Sequence, residues 1–301
     1  MSPRHLMLAL GLAVLWGLNF VVIEIGLDHL PPLLFSALRF LVAVPAVLVL
    51  RRPGVPWRWV ALVALTLGIL QFGLLFTGMA AGMPPGLSSL VLQTQAVFTG
   101  VFAVVLLGER LVGRQVAGVL VAMAGIGLIA LDLGAASPVG AFLLVVGAAA
   151  MWGLSNVAMR RASPPDMLRF MVWVSALATL PLFALSAIIE GPQRDWAALR
   201  TATWPAVGAV VYVGLVATVV GFGVWGYLIR TYSASAVAPF SLLVPVFGMA
   251  SSALLLGERL TPLRLLAAVL IIGGVLAGVL TRRPRPAPGT PGSADRPARV
   301  H

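Results

Sequence analysis

The hexapeptide Leu-Leu-Gly-Glu-Arg-Leu occurs at Leu106 to Leu111 and again at Leu255 to Leu260, each time directly after an apolar run long enough to cross a bilayer. Self-similarity at a fixed offset constrains architecture before any local propensity does, and here it implies two copies of one membrane unit. A second pair agrees: Trp16-Gly17-Leu18-Asn19-Phe20-Val21 returns as Trp152-Gly153-Leu154-Ser155-Asn156-Val157, a shift of 136, and Pro45 returns at Pro181 with the same shift. The hexapeptide shift is 149. The difference of 13 equals the length of the polar stretch Gly191 to Thr203, so one loop insertion reconciles the two registers.

A hydrophobic fraction of 60% with only 10% charged residues excludes a water-soluble core, since soluble domains carry about 25% charge. With no cysteine, a disulfide framework, a thiolate metal site and a cysteine nucleophile are all ruled out. The net charge of +11 does not point to nucleic acid, because the arginines occupy short loops and the C-terminal tail and not one soluble face. Lysine is absent while Ala, Gly and Pro are abundant, which suggests a GC-rich bacterial source.

A bilayer core of about 30 Å needs roughly 20 apolar residues per helix. Ten segments qualify, near 6–26, 33–50, 58–79, 86–107, 113–132, 138–158, 167–190, 204–229, 234–256 and 262–281. Strands are excluded because the runs are continuous and not alternating. The fold class is therefore an all-α polytopic membrane protein of two five-helix repeats, 6–132 and 138–281, followed by a proline-rich disordered cytoplasmic tail, 282–301. Of the 20 arginines, Arg39 lies inside the second span and Arg194, Arg200, Arg259 and Arg264 fall in loops on one side; the other fifteen fall on the opposite side. The positive-inside rule then places both termini in the cytoplasm of a bacterial inner membrane. Five is odd, so the second repeat enters the membrane inverted. Inverted halves enclose an interface near the midplane, which is the geometry of alternating access.

Polar residues at membrane depth mark where that interface would be wet. Trp16 and Asn19 share one face of the first span, and Trp152 and Asn156 repeat this in the sixth. Gln71 lies mid-span in the third. The fourth carries two stripes, Ser89 with Gln93, and Ser88 with Gln95 and Thr99, of which one at most can face a cavity. Tyr212, Trp225 and Tyr227 add aromatic groups in the eighth. An unpaired amide in hydrocarbon costs several kcal/mol, so each must meet another helix, water or substrate. Pro45, Pro181, Pro239 and Pro245 are candidate kinks or gates, since each frees a carbonyl one turn earlier. Gly274 with Gly278, and Gly118 with Ala122, read as close-packing pairs. Glu24 and Arg39 are the ionisable groups within the spans; they form either a structural ion pair or a site in which Arg39 receives a substrate carboxylate. Glu109 and Glu258 are expected to orient the hexapeptide turns and bind a neighbouring arginine. No nucleophile with its base and no metal site can be assembled, so neither catalysis, a metal nor a cofactor is expected.

The segments WGLNFVVIEIGLDHLPPLLFSALRF (16–40), GLSSLVLQTQAVFTG (86–100) and VAPFSLLVPVFGMASSALLLGERLT (237–261) resemble the EamA-type branch of the drug/metabolite transporter superfamily, and within it the O-acetylserine/cysteine exporter. That resemblance spans about 6–281. It implies two inverted five-helix repeats and a central cavity walled by the first, third, fourth, sixth, eighth and ninth helices. One departure stands out: the family pattern carries a basic residue where this chain has Glu24. The leading expectation is a small-molecule carrier exporting cysteine- or O-acetylserine-like amino acids. A broader aromatic amino-acid or drug efflux carrier and a non-transporting membrane receptor or assembly factor are the alternatives, with oligomeric state left open. Single cysteines placed at Arg110 and Arg259 are expected to react with an impermeant thiol reagent from opposite faces of the membrane; labelling from one face would remove the inverted arrangement.

Overall fold

The computed structural model describes residues 1–110, 112–132, 139–232 and 234–279; the expected tail at 282–301 lies outside them. Ten apolar helical spans are present: α1 (Pro3–Leu27), α2 (Pro32–Leu48), α3 (Trp57–Ala80), α4 (Pro85–Leu107), α5 (Gly113–Asp132), α6 (Val139–Ala162), α7 (Met167–Ile189), α8 (Trp204–Thr231), α9 (234–256) and α10 (Pro262–Val279). Eight of them are long and apolar enough to cross a membrane outright, and α2 and α10 are the shorter two. Among the described residues there is no strand.

The repeats match in their irregularities as well as their sequence. A π-helical stretch runs over Ala64–Gln71 in α3 and over Tyr212–Val220 in α8, separated by nearly the hexapeptide offset. The helical ladder of α4 breaks at Gln93 and Thr94, and that of α9 at Leu242 and Leu243, at the same offset. Both hexapeptides end their helices identically. Gly108 and Gly257 take φ of 65° and 70°, the left-handed region that glycine enters without a Cβ clash. The following Glu109 and Glu258 N–H groups then turn back onto the Ala103 and Ser252 carbonyls, closing a Schellman-type cap.

Packing between the halves is reciprocal. A Cβ on Gly17 of α1 would stand 2.5 Å from Cβ of Phe247 in α9, and one on Gly153 of α6 would stand 2.7 Å from Cβ of Phe98 in α4. Gly17 and Gly153 are partners at offset 136, and Phe98 and Phe247 at offset 149. Each glycine therefore lets the first helix of one repeat touch the fourth helix of the other. α5 and α10 pack along one another, with Gly274 seated on the Gly118 carbonyl and Ala122; this is the close approach that small residues permit in lipid.

Four sequence expectations change in detail. The Gly191 to Thr203 stretch is not a loop: it holds a short helix, Pro192–Arg200, whose Trp196 and Leu199 are exposed. α6 runs four residues past its expected end, to Ala162. α4 and α9 are each two half-helices. Pro181 lies inside an unbroken α7, its ring exposed, while Pro45 opens a 3-10 turn over Val44–Leu48 that finishes α2. Proline removes a ladder donor in both cases, but the helix type changes only at Pro45.

The α5 to α10 seam supplies its own control. A Cβ on Gly274 would meet the Gly118 carbonyl at 2.5 Å, whereas one on Gly273 would meet nothing within 4 Å. Gly274→Val should therefore cost about 1–3 kcal/mol of stability and Gly273→Val far less, measured as thermal unfolding in detergent.

Candidate functional site

The π-helical stretch of α8 is where candidate residues from different spans converge. Widening a turn from α to π leaves carbonyls out of the regular ladder and concentrates at functional sites. The Trp16 indole N–H donates to the Ala217 carbonyl at 3.0 Å, and the neighbouring Thr218 hydroxyl accepts a bond of 3.0 Å from Arg39 Nη2. Tyr212, at the start of the stretch, donates its hydroxyl to the Leu15 carbonyl of α1 at 2.9 Å. Gly221 is required here because a Cβ would lie 2.7 Å from the Trp16 indole nitrogen. Trp16 also packs on Phe222 and Trp225, with ring centroids 5.8 and 5.5 Å apart. Spans α1, α2 and α8 are thus tied to consecutive residues of one irregular turn.

A second cluster joins α4 to α6. Asn156 Nδ2 donates to Gln95 Oε1 at 2.6 Å and to Thr99 Oγ1 at 3.1 Å. Trp152, one turn away, is half-buried against the core. Gln93 faces elsewhere: its Nε2 donates to the Ser241 carbonyl at 3.0 Å. Ser241 stands four residues before Pro245, whose missing N–H frees that carbonyl. The break in α4 is therefore bonded to the break in α9. Both stripes of α4 are engaged by neighbouring helices, Gln93 by α9 and Gln95 by α6. Pro239 lies inside the first half of α9.

Some expected partners do not meet. Glu24 and Arg39 form no ion pair among the described residues; the guanidinium turns instead onto the Phe72 ring, 3.6 Å from its centroid, and onto Phe40 at 4.5 Å. Tyr227 is not in this site: it is 44% exposed and its hydroxyl lies 3.1 Å from His5 Nε2, at the end of the bundle where Tyr232 binds His5 Nδ1 and the Ser2 N–H. Hydrogen bonding by Ser2 lowers the Tyr232 phenol below its ordinary value. Asn19 Oδ1, Gln71 Oε1, Glu24 Oε2 and two Arg39 nitrogens are buried with no partner, so their polar capacity is not spent internally. Thr218 and Phe72 were missed from sequence; a threonine in the middle of the apolar eighth span was the available signal for Thr218.

The two ends of the bundle differ. Glu258, at the end of α9, accepts the Gly86 N–H at 2.8 Å at the start of α4 and lies 3.5 Å from Arg264, which also binds Asp132 at 2.7 Å. Burial raises the Glu258 carboxyl above its ordinary value, against the opposing pull of the Gly86 N–H and Arg264. Its repeat partner Glu109 is 47% exposed and, among the described residues, pairs only with Arg160, at 3.0 Å. Neither carboxylate binds the arginine beside it in the hexapeptide. A groove of about 510 Å³ between α1 and α8 is lined by apolar residues such as Leu12, Leu15 and Val220 with Arg4 at its rim, and contains none of the predicted site residues. Among the described residues no metal-ligating cluster occurs.

A bundle of two repeated five-helix units, with broken helices and buried amides at their junction, defines a multi-pass carrier fold. The EamA-like transporter family matches the chain twice, over residues 4–131 and 139–279, and the chain belongs to that family. It is 41% identical, over 95% of its length and 98% of the relative's, to a probable amino-acid metabolite efflux pump of Escherichia coli K12. It is 30% identical, over 87% and 89% of the two chains, to a probable terminal-alkyne amino-acid exporter of Streptantibioticus cattleyicolor. One solved crystal structure superposes with a TM-score of 0.59 at 23% identity, covering 93% of this chain and 98% of the other, which supports the fold alone.

The interhelical amide bond can be weighed directly. A double-mutant cycle of Gln95→Leu with Asn156→Leu should show a coupling of about 0.6–1.7 kcal/mol, read from denaturant unfolding in micelles, while Gln93→Leu with Asn156→Leu should be additive.

Proposed function

We propose that the protein exports small zwitterionic amino acids or related metabolites, of the cysteine or O-acetylserine kind, across a bacterial inner membrane, with both termini cytoplasmic and with alternating access between two inverted repeats. The observation that carries this reading is that buried polar atoms of Asn19, Gln71 and Arg39, on α1, α3 and α2, lack partners inside a core of membrane-spanning helices. Full-length similarity to an amino-acid metabolite efflux pump favours amino acids over other solutes. In this reading the Asn19 and Gln71 amide oxygens accept bonds from the substrate ammonium. Trp16, Trp152 and Trp225 wall the side chain, Tyr212 holds α1 to α8, and the Gln95 to Asn156 and Gln93 to Ser241 contacts are remade between states.

Access from alternate sides is supported by the unequal ends. Glu258 bonds the N-terminus of α4 and closes one end, while its partner Glu109 stays exposed and leaves the other looser. Broken helices at Gln93 and Leu242 and the paired π turns are places where each repeat can flex without losing its whole ladder. Neutral amide partners suit an exporter, because release requires modest affinity. Without a carboxylate bonded into a proton path, facilitated diffusion or exchange is the coupling mode we favour.

Release of a panel of labelled amino acids from cells expressing the protein tests the substrate class; resistance to aromatic analogues without release of small amino acids would favour the broader efflux reading, and unchanged flux in reconstituted vesicles would favour a receptor or assembly factor. In liposomes, counterflow is expected to persist without a pH gradient. Strict proton dependence that Glu24→Gln abolishes would overturn the coupling mode. Glu258→Ala should open the closed end, increasing the reaction of a cysteine at Leu87, a residue buried beside that contact, whereas Glu109→Ala should leave it unchanged.

A further inference from the structure

We infer that Arg39 is an anion receptor and that its ligand is the α-carboxylate of a small amino acid, an assignment that rests on the amino-acid export reading above. Arg39 is 3% exposed on the second span, and a charged group at that depth is rare unless it has a function. Its Nη2 donates to Thr218 Oγ1 at 3.0 Å, and Nε and Nη1 have no partner. Thr218 is neutral and donates its own proton to the Val213 carbonyl at 2.8 Å, so it accepts one bond from Arg39 and neutralises nothing. No carboxylate of the described chain pairs with the guanidinium. The charge is held by ring faces, Phe72 at 3.6 Å and Phe40 at 4.5 Å.

The remaining donors have the shape of a carboxylate site. A guanidinium carries five N–H groups along two edges, and each edge includes one Nη2 hydrogen. Thr218 occupies one of those hydrogens, so the other edge is complete: two parallel N–H groups that match the two oxygens of a carboxylate. Phe72 and Phe40 pack against the guanidinium, and its Nε and Nη1 are buried without a protein partner. Breaking a buried charge pair is costly, and a buried cation without its anion bears a standing penalty that a bound carboxylate relieves.

Acceptors for the other half of a zwitterion lie on α3 and α1, the spans that carry Phe72 and Trp16. Gln71, whose Oε1 is unpartnered, directly precedes Phe72, the ring under the guanidinium. Asn19, whose Oδ1 is unpartnered, lies one turn from Trp16, which bonds Ala217 beside Thr218. Two amide oxygens for an ammonium and one guanidinium edge for a carboxylate are the complement of an amino acid. They are not the complement of an amine, an amide or an apolar drug.

Counterflow in proteoliposomes tests the assignment. The labelled amino acid that exchanges fastest is competed with itself, its carboxamide and its decarboxylated amine. Wild type is expected to prefer the acid over both by about tenfold or more, as loss of one partner of a buried charge pair implies. Arg39→Gln should abolish that preference, weakening the acid while leaving the carboxamide unchanged, and Arg39→Lys, which keeps charge but not the fork, should fall between. Thr218→Val should retain the preference. Equal competition by acid and carboxamide in wild type overturns the assignment while leaving export intact. Arg39→Gln or Arg39→Lys variants that fold and keep the full preference, or that lose acid and carboxamide by the same factor, make Arg39 a structural staple of α2, α3 and α8. If no labelled amino acid exchanges at all, the export reading itself fails.

Discussion

Inside lipid every backbone N–H and C=O must find a partner within the protein, and that requirement organises this molecule. A plain ten-helix bundle would meet it trivially. This bundle interrupts α3, α4, α8 and α9 near the membrane interior, and the carbonyls released there are taken up by side chains from other spans. Gln93 of α4 takes the Ser241 carbonyl freed by Pro245, and Trp16 of α1 takes the Ala217 carbonyl in the π turn of α8. Irregular backbone in α8 and α9 is thus sustained in part by contacts between spans. The same contacts must change if the two halves rock, so the interruptions and the polar residues form one mechanical unit.

Close approach is the second condition. Gly17 and Gly153 bring the first helix of each repeat against the fourth helix of the other, and Gly221 admits the Trp16 indole. Since lipid offers no hydrophobic gain for helix association, such contacts rest on van der Waals fit and a few hydrogen bonds. That fit is reciprocal at the helix crossings but not at the ends. Glu258 is held by the Gly86 N–H, Arg264 and their neighbours, and Glu109, among the described residues, by Arg160 alone. Two equivalent sequences thus sit in inequivalent surroundings.

Polar atoms in the interior fall into two kinds. Gln93, Gln95, Thr99, Asn156 and Tyr212 are bonded between helices and hold the bundle. Asn19, Gln71 and Arg39 keep unpartnered atoms. The sequence treats all of these alike, because an amide in an apolar run looks the same whether a neighbouring helix or a solute will meet it.

The repeated hexapeptide, the Trp16 and Trp152 motifs and the run lengths were enough to read ten helices in two copies, since span length and backbone satisfaction in lipid leave few other solutions. The paired prolines and the small residues of α5 and α10 were legible for the same reason. Side-chain pairing was not. Glu24 and Arg39 stand on consecutive spans joined by a short loop, yet Arg39 turns to Phe72 and Thr218, which are 33 and 179 residues away in the chain. Tyr227 shares a span with Trp225 but points to His5 at the end of the bundle. Which face of a helix meets which neighbour depends on helix rotation and crossing, and these are fixed only when all ten spans pack together.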